Sequence, residues 1–158
     1  MGSSPASDDR SVNSPASAQR RIALRNDFSE ITRFNELLSH LAEDTGLSKE
    51  QFLAVKLCAH EAIMNIMSYA FAGEHLIDVV VEVRPEEIWL EILDSGRPFD
   101  PLKVAPPSAA AESTEPRIGG QGIHLMRTFS KSLDYARVGG RNRLTISVAR
   151  EEGSAGKS

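Results

Sequence analysis

The sequence predicts an α+β fold in which helices pack on one face of a mostly antiparallel sheet. Two stretches between Asp27 and Gly73 repeat apolar residues at three- and four-residue steps, the period of a helix face. Two later pairs of short segments, around 77–92 and 133–148, alternate in polarity and are joined by turn residues, as half-buried strands are. In chain order the elements read βααββ, loop, αββ, a two-layer α/β sandwich. No internal repeat interrupts this order.

Arg21 to Arg25 alternates Ile22 and Leu24 with polar neighbours and suits a short first strand. Asp27, with Glu30 three residues on, resembles a capping pair opening a helix whose apolar face is Ile31, Phe34, Leu38 and Leu41. Gly46 ends it. Ser48 and Gln51 repeat the capping-box pattern, and Phe52, Val55, Ala59, Ala62 and Ile66 carry a longer helix toward Phe71 and Gly73. Ile77, Val79, Val81 and Val83 then form a strand that Pro85, Glu86 and Glu87 turn into Ile88, Leu90 and Ile92.

From Pro101 to Arg117 the composition changes to Pro, Ala, Ser and Glu without periodicity. A loop of that length in a compact domain favours a functional lid, here about 101–118. After Gly122 come a short helical pattern (Ile123, Leu125, Met126, Phe129), a strand from Leu133 to Val138 and a Gly139–Gly140 turn. Leu144, Ile146 and Val148 complete the sheet.

At 158 residues, 41% hydrophobic and 25% charged, the chain is ordinary globular material of a size that forms one core. The expected domain is 20–150. Residues 1–19 are rich in Ser, Ala, Pro and Asp and read as a disordered tail, as do 151–158. A net charge of −4 gives no broad attraction for a polyanion, so direct nucleic-acid binding is not expected. No apolar run approaches the ~20 residues of a membrane span, and the N-terminus carries no signal-peptide core. The single cysteine, Cys58, lies in an apolar helical stretch and reads as packing. Together these point to a cytoplasmic protein.

Three clusters are candidates for chemistry. Glu61 and Asn65 are four apart on the long helix and so share one face. Around a bound nucleotide, Asn65 offers a neutral oxygen to Mg²⁺, and Glu61 can accept a proton from an attacking hydroxyl or water. The plain alternative is a solvated polar stripe. His60 with Glu61 also suggests a zinc motif, but Met64 stands where the second histidine would be. Asp94, Ser95, Gly96, Arg97, Pro98, Phe99 and Asp100 close the second strand of the first hairpin. A carboxylate beside a glycine accepts from the amine of adenine and repels the carbonyl of guanine, although the same residues also simply form turns. Ile118, Gly119, Gly120, Gln121, Gly122 and Ile123 join the loop to the next helix. Their backbone N–H groups and the helix N-terminus suit phosphate. A hinge without a ligand is the alternative, and the Lys and Ser or Thr of a Walker A loop are missing.

In this order, Glu61, Ala62 and Asn65 resemble an N box, Asp94, Gly96, Phe99 and Asp100 a G1 box, and Gly119, Gly120 and Gly122 a G2 box. The chain over roughly 20–150 thereby resembles the GHKL ATPase superfamily with its Bergerat-type fold. Within it, Ile123, Leu125, Met126, Asp134, Tyr135, Asn142 and Leu144 look most like the anti-sigma regulatory factors that are serine-protein kinases. The resemblance implies Glu61 as catalytic base and Asn65 as Mg²⁺ ligand. It implies ATP binding by Asn65, Asp94, Gly96, Gly119, Gly120, Gly122 and Ile123. It also implies a homodimer that holds a sigma factor inactive and phosphorylates a serine or threonine on a STAS-like anti-sigma factor antagonist. Tyr69, Gln121 and the Ser130–Ser132 stretch depart from the family, which often has His, Arg and an acidic pair there.

Three further readings stay open, the plainest being a small α+β binding domain that takes no ATP. Another is a non-catalytic anti-sigma or adaptor module that uses nucleotide to set its shape. The last, a detached sensor histidine kinase domain, needs a phosphoacceptor histidine outside the nucleotide domain, and His40, His60, His75 and His124 all fall within it.

Overall fold

A computed structural model describes residues 17–69, 75–103 and 120–150. Five strands form one wholly antiparallel sheet: β1 (Ala18–Arg25), β2 (Leu76–Val83), β3 (Glu87–Asp94), β4 (Ser132–Val138) and β5 (Arg141–Ala149), in the spatial order β1-β2-β3-β5-β4. Three helices, α1 (Ile31–Thr45), α2 (Lys49–Tyr69) and α3 (Gly120–Phe129), supply the second layer. The expected α+β sandwich and its element order are both observed.

Every strand of the centre turns its alternate residues toward the helices. In β3 these are Ile88, Leu90 and Ile92, all at most 1% exposed, with Asp94 continuing the row at the strand end. In β5 they are Val148, Ile146 and Leu144, then Asn142. Phe34, Leu38 and Leu41 of α1 and Val55, Ala59, Ala62 and Ile63 of α2 close over them. α2 crosses β3 and β5, with α1 and β1 on one side of it and α3 and β4 on the other. On the opposite face of the sheet the Arg84 guanidinium lies 4.8 Å over the Trp89 ring and bonds Glu82 and Glu87. Long polar side chains thus shield an aromatic ring that none of the described helices covers.

Self-contained local signals form the structures that the sequence predicts. Ser48 Oγ accepts from Gln51 N–H at 3.1 Å while Gln51 Oε1 accepts from Ser48 N–H at 2.9 Å, a reciprocal capping box for α2. Gly46 ends α1 at φ 67°. Gly139 and Gly140 turn β4 into β5 with φ of 57° and 75°, the paired positive values that a two-residue hairpin of type I′ requires.

Four details differ. β1 starts at Ala18, so Ala18 and Gln19, expected in the tail, belong to the sheet; backbone pairing with Val83 and Glu82 holds them whatever their side chains. Asp27 caps a single 3-10 turn (Phe28–Glu30) by accepting from Ser29 N–H, and Glu30 reaches Arg25 N–H instead of closing a box. The Asp27 N–H that such a box would use is already bonded to Arg25 O at 2.8 Å. α3 begins at Gly120, not after Gly122, so two of the box glycines lie inside its first turn. Of the expected lid, Pro101–Lys103 form another 3-10 turn, held by Arg127 Nη2 on Leu102 O at 2.7 Å; 104–119 lie outside the described residues, as do 1–16 and 151–158 of the expected tails.

Cys58 is buried and packs in the core, as its apolar context implies. Burial, and then the charge of Glu61, push its thiol up to about 11. Alkylation requires the thiolate, so in the native protein the rate should keep rising until pH passes about 11. The denatured chain should level off about two pH units earlier, at the ordinary thiol value; coincident profiles would contradict the burial. Ser48→Ala should cost about 1 kcal/mol in urea unfolding, because the Gln51 N–H at the α2 N-terminus loses its acceptor. An unchanged midpoint would show that the capping box does not stabilise the helix.

Candidate nucleotide site

The inward rows of β3 and β5 end in polar side chains, and there the sandwich opens. A cavity of about 510 Å³ lies between the C-terminal half of α2, the loop after β3 and the β4–β5 hairpin. Ala62, Asn65 and Ile66 line it from α2, Met126 from α3, and Tyr135 and Leu144 from the hairpin. Asp94 and the chain from Gly96 to Phe99 form another wall. Apolar surfaces with a few convergent polar groups suit a flat, partly polar guest.

Asp94 is 6% exposed, and its Oδ1 accepts from Gly96 N–H at 2.8 Å and from Asn142 Nδ2 at 3.1 Å. Both bonds end on Oδ1, which leaves Oδ2 lone pairs for a ligand donor. Gly96 is required by that approach: a Cβ there would lie 2.7 Å from Asp94 Oδ1. Asn65 is half-buried in the cavity wall, and no hydrogen bond from the described residues engages its amide.

Glu61 is placed differently. It lies one turn before Asn65 on α2, outside the residues that line the cavity, with its carboxylate against the first turn of α3. A methyl group at position 122 would overlap Glu61 Oε2 and stand 3.1 Å from its Cδ, so Gly122 is what lets the two helices cross beside that carboxylate. Ile123 is 2% exposed and packs in the core, so only its backbone is available to a ligand. Gly120 opens α3, where the first N–H groups have no partner inside the helix; Gly119 lies outside the described residues. The neighbouring His60 is engaged within the protein: its Nε2 bonds Asn35 Oδ1 at 2.7 Å, and burial lowers its pKa. Among the described residues no group of three or more His, Cys, Asp or Glu side chains could hold a metal ion. A divalent cation in the cavity would therefore take most of its ligands from the guest's phosphates and water, with Asn65 as a neutral protein ligand. The residues present fit that arrangement.

The network behind Asp94 lies outside every single motif. Asn142, Tyr135 and Arg137 lie some forty residues further on, yet Asn142 bonds Asp94, and Arg137 Nη1 bonds Gly96 O at 2.8 Å. No local pattern marks them. The one signal that reached two of them was the resemblance, which included Tyr135 and Asn142 without a role.

Residues 24–148 match the model of the histidine kinase-like ATPase domain. The chain is 35% identical over 111 residues to the serine/threonine-protein kinase BtrW of Bordetella bronchiseptica, covering 69% of this chain and 78% of that protein. It is 30% identical over 98 residues to the serine-protein kinase RsbW of Listeria monocytogenes, covering 58% of this chain and 62% of that kinase. The fold is like that of part of the structure of the RsbU and RsbW domains of Rv1364c from Mycobacterium tuberculosis, with a TM-score of 0.61 at 11% identity, over 85% of this chain and 33% of that one. The five-stranded antiparallel sheet, the three helices and the match over 24–148 make this chain a member of the histidine kinase-like ATPase domain family, in which its named relatives are protein kinases.

Proposed function

We propose that the chain is a protein kinase that binds ATP with Mg²⁺ in the cavity beneath α2 and phosphorylates a serine or threonine of another protein. The observation that carries this reading is the convergence of Asn65, Asp94 and Gly96 on one cavity, with Glu61 one turn further back on the same helix. Asp94 accepts the exocyclic amine of adenine and repels the carbonyl of guanine. Gly96 keeps the wall beside the base thin. Asn65 would hold Mg²⁺ through its amide oxygen, and the ion would neutralise charge on the phosphates. Backbone N–H groups from Gly119 through Gly120 and Gly122 to Ile123 would meet the phosphate end, aided by the helix dipole of α3. Glu61 takes the proton of the attacking hydroxyl as its oxygen bonds to the γ-phosphorus and the bond to the β-phosphate oxygen breaks, releasing ADP.

The likeness to RsbW-type kinases supports a finer reading. The protein would hold a sigma factor inactive and phosphorylate the STAS-like antagonist that releases it, as a cytoplasmic homodimer whose lid spans about 101–118. No described helix is long and apolar enough to cross a membrane. An adaptor that binds nucleotide without transferring phosphate is the second reading. It is favoured by one observation: the Glu61 carboxylate lies against Gly122 and not in the cavity wall.

Asp94→Asn should weaken ATP binding by about 1–3 kcal/mol, because it can present a donor where the adenine amine needs an acceptor. Calorimetry that finds no loss, or equal ATP and GTP affinity in the wild type, would remove the adenine-reader role.

Glu61→Ala and Asn65→Ala separate kinase from adaptor. Glu61→Ala should keep ATP affinity and lose ~10²–10⁴-fold in phosphate transfer to a cognate antagonist, the usual contribution of a positioned base. Asn65→Ala should instead weaken ATP binding and reduce its dependence on Mg²⁺. Transfer that survives Glu61→Ala unchanged would exclude the base role, and a wild type that transfers nothing would establish the adaptor.

A further inference from the structure

We propose that Asn142 is a positioning residue that sets the purine specificity of the cavity, by holding Asp94 with one carboxylate oxygen occupied and the other open. This rests on the purine reading above and assigns the specificity to a side chain outside the residues that carry it there. Asn142 stands at the start of β5, directly opposite Asp94 in the β3–β5 ladder, and is 6% exposed.

Its amide is used at both ends. Oδ1 accepts from Tyr135 Oη at 2.6 Å, Arg137 Nη1 at 3.1 Å and Phe99 N–H at 3.3 Å. Nδ2 donates to Arg97 O at 2.7 Å and to Asp94 Oδ1 at 3.1 Å. A guanidinium and a backbone N–H can only donate, so the amide cannot be turned round: its nitrogen must face Asp94. Gly96 N–H is the second donor on that oxygen. A carboxylate anchored by two donors on Oδ1 has its rotation fixed, and Oδ2 remains as the acceptor for a purine amine. The same amide holds the wall of the cavity through Arg97 O and Phe99 N–H, while Arg137 adds a bond to Gly96 O. Base reader and pocket wall are therefore hung on one side chain, and a fully bonded network of this kind keeps both in one arrangement.

Asn142→Asp tests this with little change of shape. It puts an oxygen in place of the nitrogen 3.1 Å from Asp94 Oδ1, and two carboxyls that close coexist by sharing a proton. Asp94 then loses the fixed donor that set its rotation, so the proton of the pair is no longer confined to the Oδ1 side and the cavity-facing oxygen no longer stays a pure acceptor. Affinities for ATP and for inosine triphosphate, which carries a carbonyl in place of the adenine amine, are measured by calorimetry, with circular dichroism to check folding. The wild type should prefer ATP by about tenfold or more, and Asn142→Asp should lose most of that ratio. Tyr135→Phe, which removes the 2.6 Å bond to Oδ1, should narrow the ratio about threefold. A purely structural role would weaken both nucleotides alike and leave the ratio unchanged, which would overturn the proposal. If Asn142→Asp does not fold, the Tyr135→Phe ratio decides alone. A wild type with no ATP preference would remove the purine reading and this proposal together. A wild type that prefers ATP, with variants that keep its ratio, would remove this proposal only.

Discussion

The register of β3 against β5 is the constraint on which the rest of the molecule depends. Ile88 faces Val148, Leu90 faces Ile146 and Ile92 faces Leu144, and all six point beneath α2. A slip of one residue would turn every one of them to the other face of the sheet, so core burial fixes the register strongly. The next pair in that row is Asp94 with Asn142. The period that buries the apolar side chains therefore forces a carboxylate and an amide inward at the end of the sheet. Buried polar groups are costly unless bonded, and these two bond each other and the loop that follows β3. The cavity is built where the hydrophobic row gives way to that pair.

α2 brings the second half of the site by similar means. Its apolar side seats it over β3 and β5, and that seating carries Ala62, Asn65 and Ile66 to the cavity. Glu61 falls on the flank of the same helix, toward α3. Two helices can pass so close to a carboxylate only if one lacks a side chain at the crossing, and Gly122 supplies that gap. In the sequence Gly122 resembles part of a phosphate loop; in the structure it is a packing residue. Packing does not conflict with the proposed phosphate role, since the first turn of α3 presents backbone N–H groups whatever the reason for its glycine.

The fold was legible almost completely, because its signals are local. Apolar periodicity gave the helices and strands in order, the Ser48–Gln51 box and Gly46 gave helix ends, and Gly139–Gly140 gave a hairpin. Errors arose at element ends, where partners elsewhere in the chain decide. β2 extends β1 to Ala18, and Arg25 O occupies the Asp27 N–H that a capping box needed.

Of the candidate site, the sequence by itself determined which residue types stand where: a Glu and an Asn one turn apart on a helix, an acid and a glycine at a strand end, and glycines opening a later helix. It determined the period that sends Asp94 inward. Only the tertiary structure decided that Asn65, Asp94 and Gly96 share one cavity, that Glu61 stands beside it against α3, and that Asn142, Tyr135 and Arg137 hold Asp94 and its loop in place. The physical reason is range. Periodicity, caps and turns act within a few residues and are written into adjacent positions, whereas the bond from Asn142 to Asp94 joins side chains 48 residues apart. It exists only once β5 has paired with β3.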